Sequence, residues 1–215
     1  MYSFLGWIVE IIDILILDRK IINRGFLIGP ICPIYGVGCL LMIHLLSRFI
    51  DTPVALFILS IFIFMTLEYL TSYAMEKMFN CRWWDYSNFK FNLNGRICLE
   101  TTIPFGIGGM LVMYVINPFF NKVLGLINHK VVIILGIVLL VIFLIDYIVS
   151  FFVIGKVKKA IKGKFKDDTD EVNKKVREYL TNLSPLTKRL MESFPNLRIK
   201  LSNLKHKIGV KVAKK

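Results

Sequence analysis

The stretch PVALFILSIFIFMTLEYLTSYAM, residues 53–75, decides the fold, because it stays apolar throughout and carries a single charged side chain, Glu68. About 20 consecutive apolar residues are enough for a helix to cross the hydrocarbon core of a bilayer. That core offers no water to the backbone N–H and C=O groups, so a segment of this composition must pair them internally as a helix. The stretch therefore predicts a transmembrane helix with an acid inside it.

Four further apolar stretches accompany this one, at residues 2–17, 26–46, 103–120 and 131–154. The chain of 215 residues is 55% apolar and has a mean hydropathy of +0.61, which is too apolar for a soluble domain of this length. The first stretch is short, but it lacks the basic beginning and the small-residue cleavage site of a signal peptide. The sequence predicts an all-α fold, a polytopic transmembrane helical bundle of about five spans with a basic amphipathic-helical tail.

The distribution of charge divides the chain near Gly155. Residues 1–155 hold 10 Lys and Arg and 9 Asp and Glu, whereas residues 156–215 hold 18 and 6. The connections after the first and third stretches are basic as well, and the positive-inside rule assigns basic segments to the cytoplasm. We therefore expect a multi-pass protein of the cell membrane, with a transmembrane domain (1–155), a cytoplasmic tail (156–215) and the N-terminus outside.

Acidic side chains lie inside three of the predicted spans, namely Glu10, Glu68 and Asp146. Insertion scales put the cost of such a charge at about 2.5–3.5 kcal/mol, so acids at this depth usually face the bundle interior and have a role. That role is either substrate binding or a structural hydrogen bond between helices. Asp13 and Glu76 lie nearer the predicted boundaries, where we expect them to be solvated.

Two polar segments precede the second and fourth spans. The first, NRGFLIGPICPIYGVG (23–38), breaks its helix with Pro30, Pro33 and several glycines, and non-helical backbone at membrane depth needs protein or a water-filled cavity around it. The second, CRWWDYSNFKFNLNGR (81–96), holds five aromatic residues, a residue type that favours the membrane interface. We predict that this second segment folds back against the bundle as a lid, the alternative being a tightly packed structural loop.

Side chains of these two segments complete the set of candidate ligands. Arg24 and Arg96, one in each segment, suit an anionic head group or a carboxylate, and Asp85 suits the cap of a local turn. The predicted substrate-binding residues are Glu10, Arg24, Glu68, Trp84, Asp85, Tyr86, Asn94, Arg96 and Asp146.

Several blocks of the sequence, in this order and spacing, resemble a family of small bacterial membrane proteins. They are GWIVE (6–10), NRGFLIGPICPIYG (23–36), LEYLTSYAMEKMF (67–79), WWDYS (83–87) and FNLNGRICL (91–99). The family is known as Putative ABC-transporter type IV, and the resemblance covers about residues 1–150. It implies a permease-like protein of several spans, with motif positions at Gly6, Trp7, Glu10, Asn23, Arg24, Gly25, Gly29, Pro30, Pro33, Glu68, Trp84, Asp85, Tyr86, Asn94, Gly95 and Arg96.

The tail begins with the polybasic stretch KVKKAIKGKFK (156–166), which is typical of segments that bind anionic lipids. Apolar residues then recur at helical spacing, and Ser184 followed by Pro185 is typical of a helix N-terminus. We expect basic amphipathic helices on the membrane surface, the alternative being a solvated, disordered tail. The chain carries no motif that recognises nucleic acid, so we expect no such partner.

The four cysteines have no metal-binding spacing, so we interpret them as small apolar fillers and expect neither a metal site nor a cofactor. Three functions stay open. The first is a permease component that moves an anionic solute or a lipid. It requires a separate ATPase subunit, because the chain has no P-loop. It also favours a homodimer, because five spans are few for a complete pathway. The second is a membrane-embedded enzyme that acts on a lipid-like substrate, although no catalytic set is present. The third is a non-catalytic scaffold or regulator.

Overall fold

Helices dominate the part of the chain that the structure describes. The computed structural model describes residues 1–23, 25–79, 81–161, 170–194 and 197–199. The helices are α1 (Tyr2–Asp18), α2 (Pro33–Leu46), α3 (Pro53–Phe79), α4 (Thr102–Leu111), α5 (Asn117–Gly125), α6 (His129–Ile161), α7 (Asp170–Thr181) and α8 (Pro185–Ser193). The strands are β1 (Cys81–Arg82), β2 (Asn92–Leu93), β3 (Ile97–Cys98) and β4 (Arg198–Ile199).

Three helical segments of the described chain are long and apolar enough to cross a membrane. They are Pro53–Phe79, Leu99–Gly125 and His129–Gly155, and they match the predicted third, fourth and fifth spans. The second of them joins α4 to α5 through a wider π-helical turn at Val112–Ile116, where Pro118 lacks the N–H that a regular helix would use. The predicted first and second spans form helices of 17 and 14 residues, and their crossing of a membrane stays a prediction.

The start of the second helix differs from its prediction. The sequence suggests a span over residues 26–46, but α2 begins at Pro33, and residues 25–32 are not helical. Proline is favoured in the first turn of a helix because its missing N–H is not needed there. The broken stretch therefore lies before the helix, and we call residues 23–32 the entrance segment.

One apolar cluster closes the bundle at the end of α3 that lies nearest to Pro53. Two glycines allow this close packing, because a Cβ at Gly109 would overlap Ser60 and one at Gly38 would approach the Phe64 ring to 2.5 Å. The buried members of this cluster are Met42, Leu46, Leu56, Phe64 and Met113.

The connection from α3 to α4 folds back on the bundle, and we call residues 81–98 the lid loop. Its strands β2 and β3 pair in an antiparallel hairpin. The turn has positive φ at Asn94 (54°) and Gly95 (64°), which is the conformation that an Asn-Gly turn favours. The predicted folding back of this loop is confirmed by its contacts with α3, described below.

The tail helices pack against the bundle through part of their apolar faces. Strand β4 also pairs antiparallel with β1, placing Ile199 opposite Cys81. The predicted helix start at Ser184 is confirmed, since its side chain accepts a hydrogen bond from the N–H of Thr187. The buried cluster that joins the tail to the lid loop, α3 and α6 consists of Phe79, Cys81, Trp83, Ile154, Val157, Val176, Leu180, Leu190 and Met191.

Val176 and Leu180 are fully buried against protein, whereas the position of the tail helices on a membrane surface stays a prediction. Helix α6 also continues past the predicted domain boundary at Gly155. Part of the polybasic stretch lies outside the described residues, as do all of residues 200–215.

Candidate functional site

A row of polar side chains runs along one face of α3. Ser60, Glu68, Ser72 and Glu76 are all buried, and with Phe64 they recur every four residues. Side chains four residues apart lie above one another on one face of a helix. The row, which we call the polar stripe, therefore leads from the middle of an apolar helix towards the lid loop.

Glu68 is the acid of the stripe that lies nearer the middle of α3, and it is buried, with a relative exposure of 9%. Its Oε1 atom accepts a hydrogen bond from the Tyr86 hydroxyl at 3.1 Å. Its Oε2 atom is buried and has no hydrogen-bond partner. Burial, followed by the nearby Glu68 carboxylate, raises the pKa of Tyr86 well above its usual value, so Tyr86 stays protonated and can donate. The geometry leaves one carboxylate oxygen able to accept a further donor.

A second tyrosine–glutamate pair lies beside the first. The Tyr35 hydroxyl of α2 donates to Oε1 of Glu10 in α1 at 2.6 Å. The Glu10 and Glu68 carboxylates are close enough to repel each other electrostatically. The motif glycine Gly6 permits this arrangement, because a Cβ there would overlap the Tyr35 ring. Helices α1, α2 and α3 and the lid loop thus converge on one polar centre.

A network of four charges, which we call the charge network, closes the stripe at the lid loop. Arg96 donates to Oε2 of Glu76 at 2.8 Å and to the Ser72 hydroxyl at 3.0 Å. Arg82 lies 3.6 Å from the same Glu76 oxygen and 3.2 Å from Asp85. The prediction that Glu76 is solvated is wrong, since it is 9% exposed and paired with two arginines.

The other predicted residues of the lid loop hold that loop together. Trp84 donates to the carbonyl oxygen of Arg96 at 3.0 Å, and Asn94 donates to the Tyr69 hydroxyl at 2.9 Å. The predicted turn-capping role of Asp85 is confirmed, because its carboxylate accepts from the N–H of Ser87 at 3.1 Å. Trp84 and Asp85 thus stabilise the loop internally, whereas Asn94 attaches it to α3.

Asp146 has a different set of partners from Glu68. It accepts hydrogen bonds from the backbone N–H groups of Ile28 (2.9 Å) and Gly29 (2.8 Å) and from the Ser150 hydroxyl (3.1 Å). A Cβ at Gly29 would come within 2.9 Å of its carboxylate, which explains the glycine. Asp146 therefore satisfies the exposed donors of the entrance segment. Arg24 lies outside the described residues.

Sequence reasoning missed several contributors to this centre. The partner of Glu10 is Tyr35, which stands in the recognisable stretch PIYG but was not singled out. The four-residue recurrence of polar side chains in α3 was a usable signal for Ser72 and Glu76. Arg189 and Ser193 contact the entrance segment from the tail. No sequence pattern around these two residues indicates that contact. Within the described residues no group of His, Cys, Asp and Glu could hold a metal ion.

The apolar helices and the buried polar centre define a helical membrane protein of several passes. A comparison with family models finds that residues 1–151 match the family described as Putative ABC-transporter type IV. The chain belongs to that family. The match includes the polar stripe, the lid loop, the entrance segment and Asp146, whereas α7 and α8 follow it. Searches of the curated proteins and of the solved structures return no match.

Proposed function

We propose that this protein is the membrane-spanning, permease-like component of a transporter and that Glu68 binds the transported species. The observation that carries the proposal is the buried Oε2 atom of Glu68, which lies in an apolar helix and has no hydrogen-bond partner. An acceptor left unpaired at such a place costs about 1–3 kcal/mol, a cost that a bound donor removes. Acids at membrane depth commonly mark the path of a substrate or an ion.

Two closures on either side of Glu68 support transport. The apolar cluster around Met42 and Phe64 blocks the stripe towards Pro53, and the pair Arg96–Glu76 blocks it towards the lid loop. A site closed at both ends is the occluded state that alternating access requires. Opening of the charge network would connect Glu68 to the side of the lid loop, and parting of the apolar cluster would connect it to the other side.

The chemistry of the site favours a transported species that presents a hydrogen-bond donor. Arg96, a candidate ligand for an anion, already directs its two terminal nitrogens at Ser72 and Glu76. An anionic group could reach Arg96 only by displacing Glu76. A donor such as an amine or a hydroxyl meets Glu68 Oε2 without breaking any pair.

Orientation and partners follow from the same proposal. The positive-inside rule puts the lid loop and the tail in the cytoplasm and the N-terminus outside. A separate ATPase subunit would supply the energy. A second copy of the chain would complete the transport pathway, since one copy has few spans to enclose it. The basic stretch at 156–166 would hold anionic lipids of the inner leaflet.

Solute profiling tests the proposal even while the transported species is unidentified. Membrane vesicles from cells that produce the wild type, Glu68→Gln or Glu171→Gln are loaded with a metabolite extract, and their contents are followed by mass spectrometry. Glu171 is the matched control, because its exposed side chain pairs with Lys175 on the tail. We expect solutes whose movement depends on the wild type and the control but is lost in Glu68→Gln. Equal profiles for Glu68→Gln and the wild type would overturn the proposal.

A further inference from the structure

The entrance segment has backbone groups that no helix or strand satisfies. Its donors are met from the membrane domain: Asp146 binds two N–H groups, and the N–H of Cys32 donates to the carbonyl oxygen of Ser3 at 2.9 Å. Two of its carbonyl oxygens, those of Asn23 and Gly25, are met from the tail. Unpaired backbone groups at such a place are costly, so these two contacts from the tail stabilise the entrance segment.

Helix α8 supplies those partners. The Arg189 guanidinium donates to the carbonyl oxygen of Gly25 at 2.7 Å, and the Ser193 hydroxyl donates to that of Asn23 at 2.6 Å. The Phe194 ring meets Trp83 edge to face at 4.8 Å. The helix thus binds the entrance segment and the lid loop together.

Docking of α8 carries an uncompensated cost. The second terminal nitrogen of Arg189, Nη1, is buried and has no hydrogen-bond partner. Burial lowers the pKa of Arg189, although the nearby Asp146 carboxylate opposes this shift. A contact that leaves a buried donor unpaired is weaker than its two hydrogen bonds suggest.

We propose that α8 is a detachable cap on the entrance segment and the lid loop and that, through its contact with the lid loop, it controls opening of the charge network towards the cytoplasm. The regulatory part of this inference rests on the proposed function, whereas the docking and release of α8 do not. The family match ends at residue 151, so α8 follows the matched residues, whereas the acceptor groups that it occupies lie within them. When α8 leaves, the carbonyl oxygens of Asn23 and Gly25 become free to bind a donor from the cytoplasm.

The native Cys32 thiol reports on the cap. It is buried beside Gly25, where a Cβ would lie 3.6 Å from the sulfur. In inside-out vesicles we expect the double variant Arg189→Ala/Ser193→Ala to raise the rate of Cys32 labelling by N-ethylmaleimide about tenfold, equivalent to about 1.4 kcal/mol. Lys188→Ala, an exposed neighbour in α8, should label as the wild type does. An unchanged Cys32 rate in the double variant would overturn the inference.

Cys39 separates opening of the cap from unfolding, since it is buried within α2. If only the cap opens, Cys39 stays unlabelled. If the double variant unfolds, Cys39 is labelled as well, and a locked variant then tests whether docking of α8 protects Cys32.

The locked variant is Ile199→Cys, because Ile199 faces Cys81 across the β1–β4 pair. Directly opposed residues of antiparallel strands have Cα atoms about 4.5–5.5 Å apart, which suits a disulfide. Mild oxidation should cross-link the introduced cysteine to Cys81 and slow Cys32 labelling below the wild-type rate, and reduction should restore it. Arg198→Cys, which pairs with Arg82 and not with Cys81 in the strand register, should not cross-link.

Each result of the locking experiment has one meaning. Failure to cross-link overturns the docking of the tail, and a cross-link that leaves Cys32 labelling unchanged overturns the cap. Normal capping together with unimpaired solute movement in Glu68→Gln would overturn the proposed function alone.

Discussion

Removal of Arg96 from the charge network should destabilise the protein strongly. Its side chain is 8% exposed and makes two charge-assisted contacts, to Glu76 at 2.8 Å and to Ser72 at 3.0 Å. Loss of one partner of a buried ion pair typically costs about 3–5 kcal/mol, because the other charge stays buried without compensation. Arg82 remains 3.6 Å from Glu76 and offsets part of this cost, so we expect about 3 kcal/mol for Arg96→Met.

The measurement is thermal unfolding of the purified protein in detergent, followed by tryptophan fluorescence. For a chain of this size about 1 kcal/mol moves the Tm by about 2–4 °C, so Arg96→Met should lower it by about 6–12 °C. Lys122→Met, which removes an exposed charge in α5, is the control and should change stability by less than about 0.5 kcal/mol.

The double variant Arg96→Met/Glu76→Leu distinguishes pairing from simple packing. Replacement of a whole buried pair by apolar residues is often neutral or stabilising, so the double variant should regain most of the Tm lost by Arg96→Met. The reasoning would be refuted if Arg96→Met lowered the Tm no more than the Lys122→Met control. It would also be refuted if the double variant had a lower Tm than Arg96→Met.

Three further predictions concern packing, the entrance segment and a thiol. Gly109→Ala should lower stability by about 1–3 kcal/mol, because its new methyl group overlaps Ser60; Gly108→Ala, which meets nothing within 4 Å, should not lower the Tm. Asp146→Leu should speed Cys32 labelling more than Asp146→Asn, since asparagine keeps one acceptor for the two N–H groups of the entrance segment, and equal rates would contradict this role. Burial raises the pKa of the Cys98 thiol, so its maleimide reaction should require a higher pH in the folded protein than in denaturant, as peptide mass spectrometry would show.

The predictions that rested on long-range composition agreed with the structure where they could be compared. A run such as 131–154 contains enough apolar residues to define a helix without reference to the rest of the chain, and it lies within α6. The lid loop was predicted to fold back because its aromatic residues are too apolar for water. The start of α2 was missed because a pattern of apolar residues cannot distinguish a helix from an extended stretch, whereas Pro33 alone indicates where the helix begins.

The partners of the charged residues could not be predicted, because each pair joins segments far apart in sequence. Glu76 stands near the predicted boundary of its span, where solvation is the natural expectation, yet Arg96 reaches it through the hairpin turn at Asn94–Gly95. The packing of the tail on the bundle could not be predicted for a related reason. An amphipathic helix has the same periodicity whether its apolar face meets lipid or protein, and Val176 meets protein.

The contrast between Glu68 and the other acids explains why one position is the best candidate for binding. Asp146 accepts donors with both oxygens, and Oε2 of Glu76 is shared by two arginines, so each is compensated within the fold. Glu68 has the Tyr86 hydroxyl for one oxygen and nothing for the other, although the same helix could have carried a serine there, as it does four residues later at Ser72. A carboxylate that is buried at a cost and half satisfied is poorly suited to a purely structural role, since glutamine or serine would form the same hydrogen bond with less desolvation. The proposed binding of a further donor would account for the acid, and Glu68→Gln tests it because glutamine keeps the shape of glutamate without its charge.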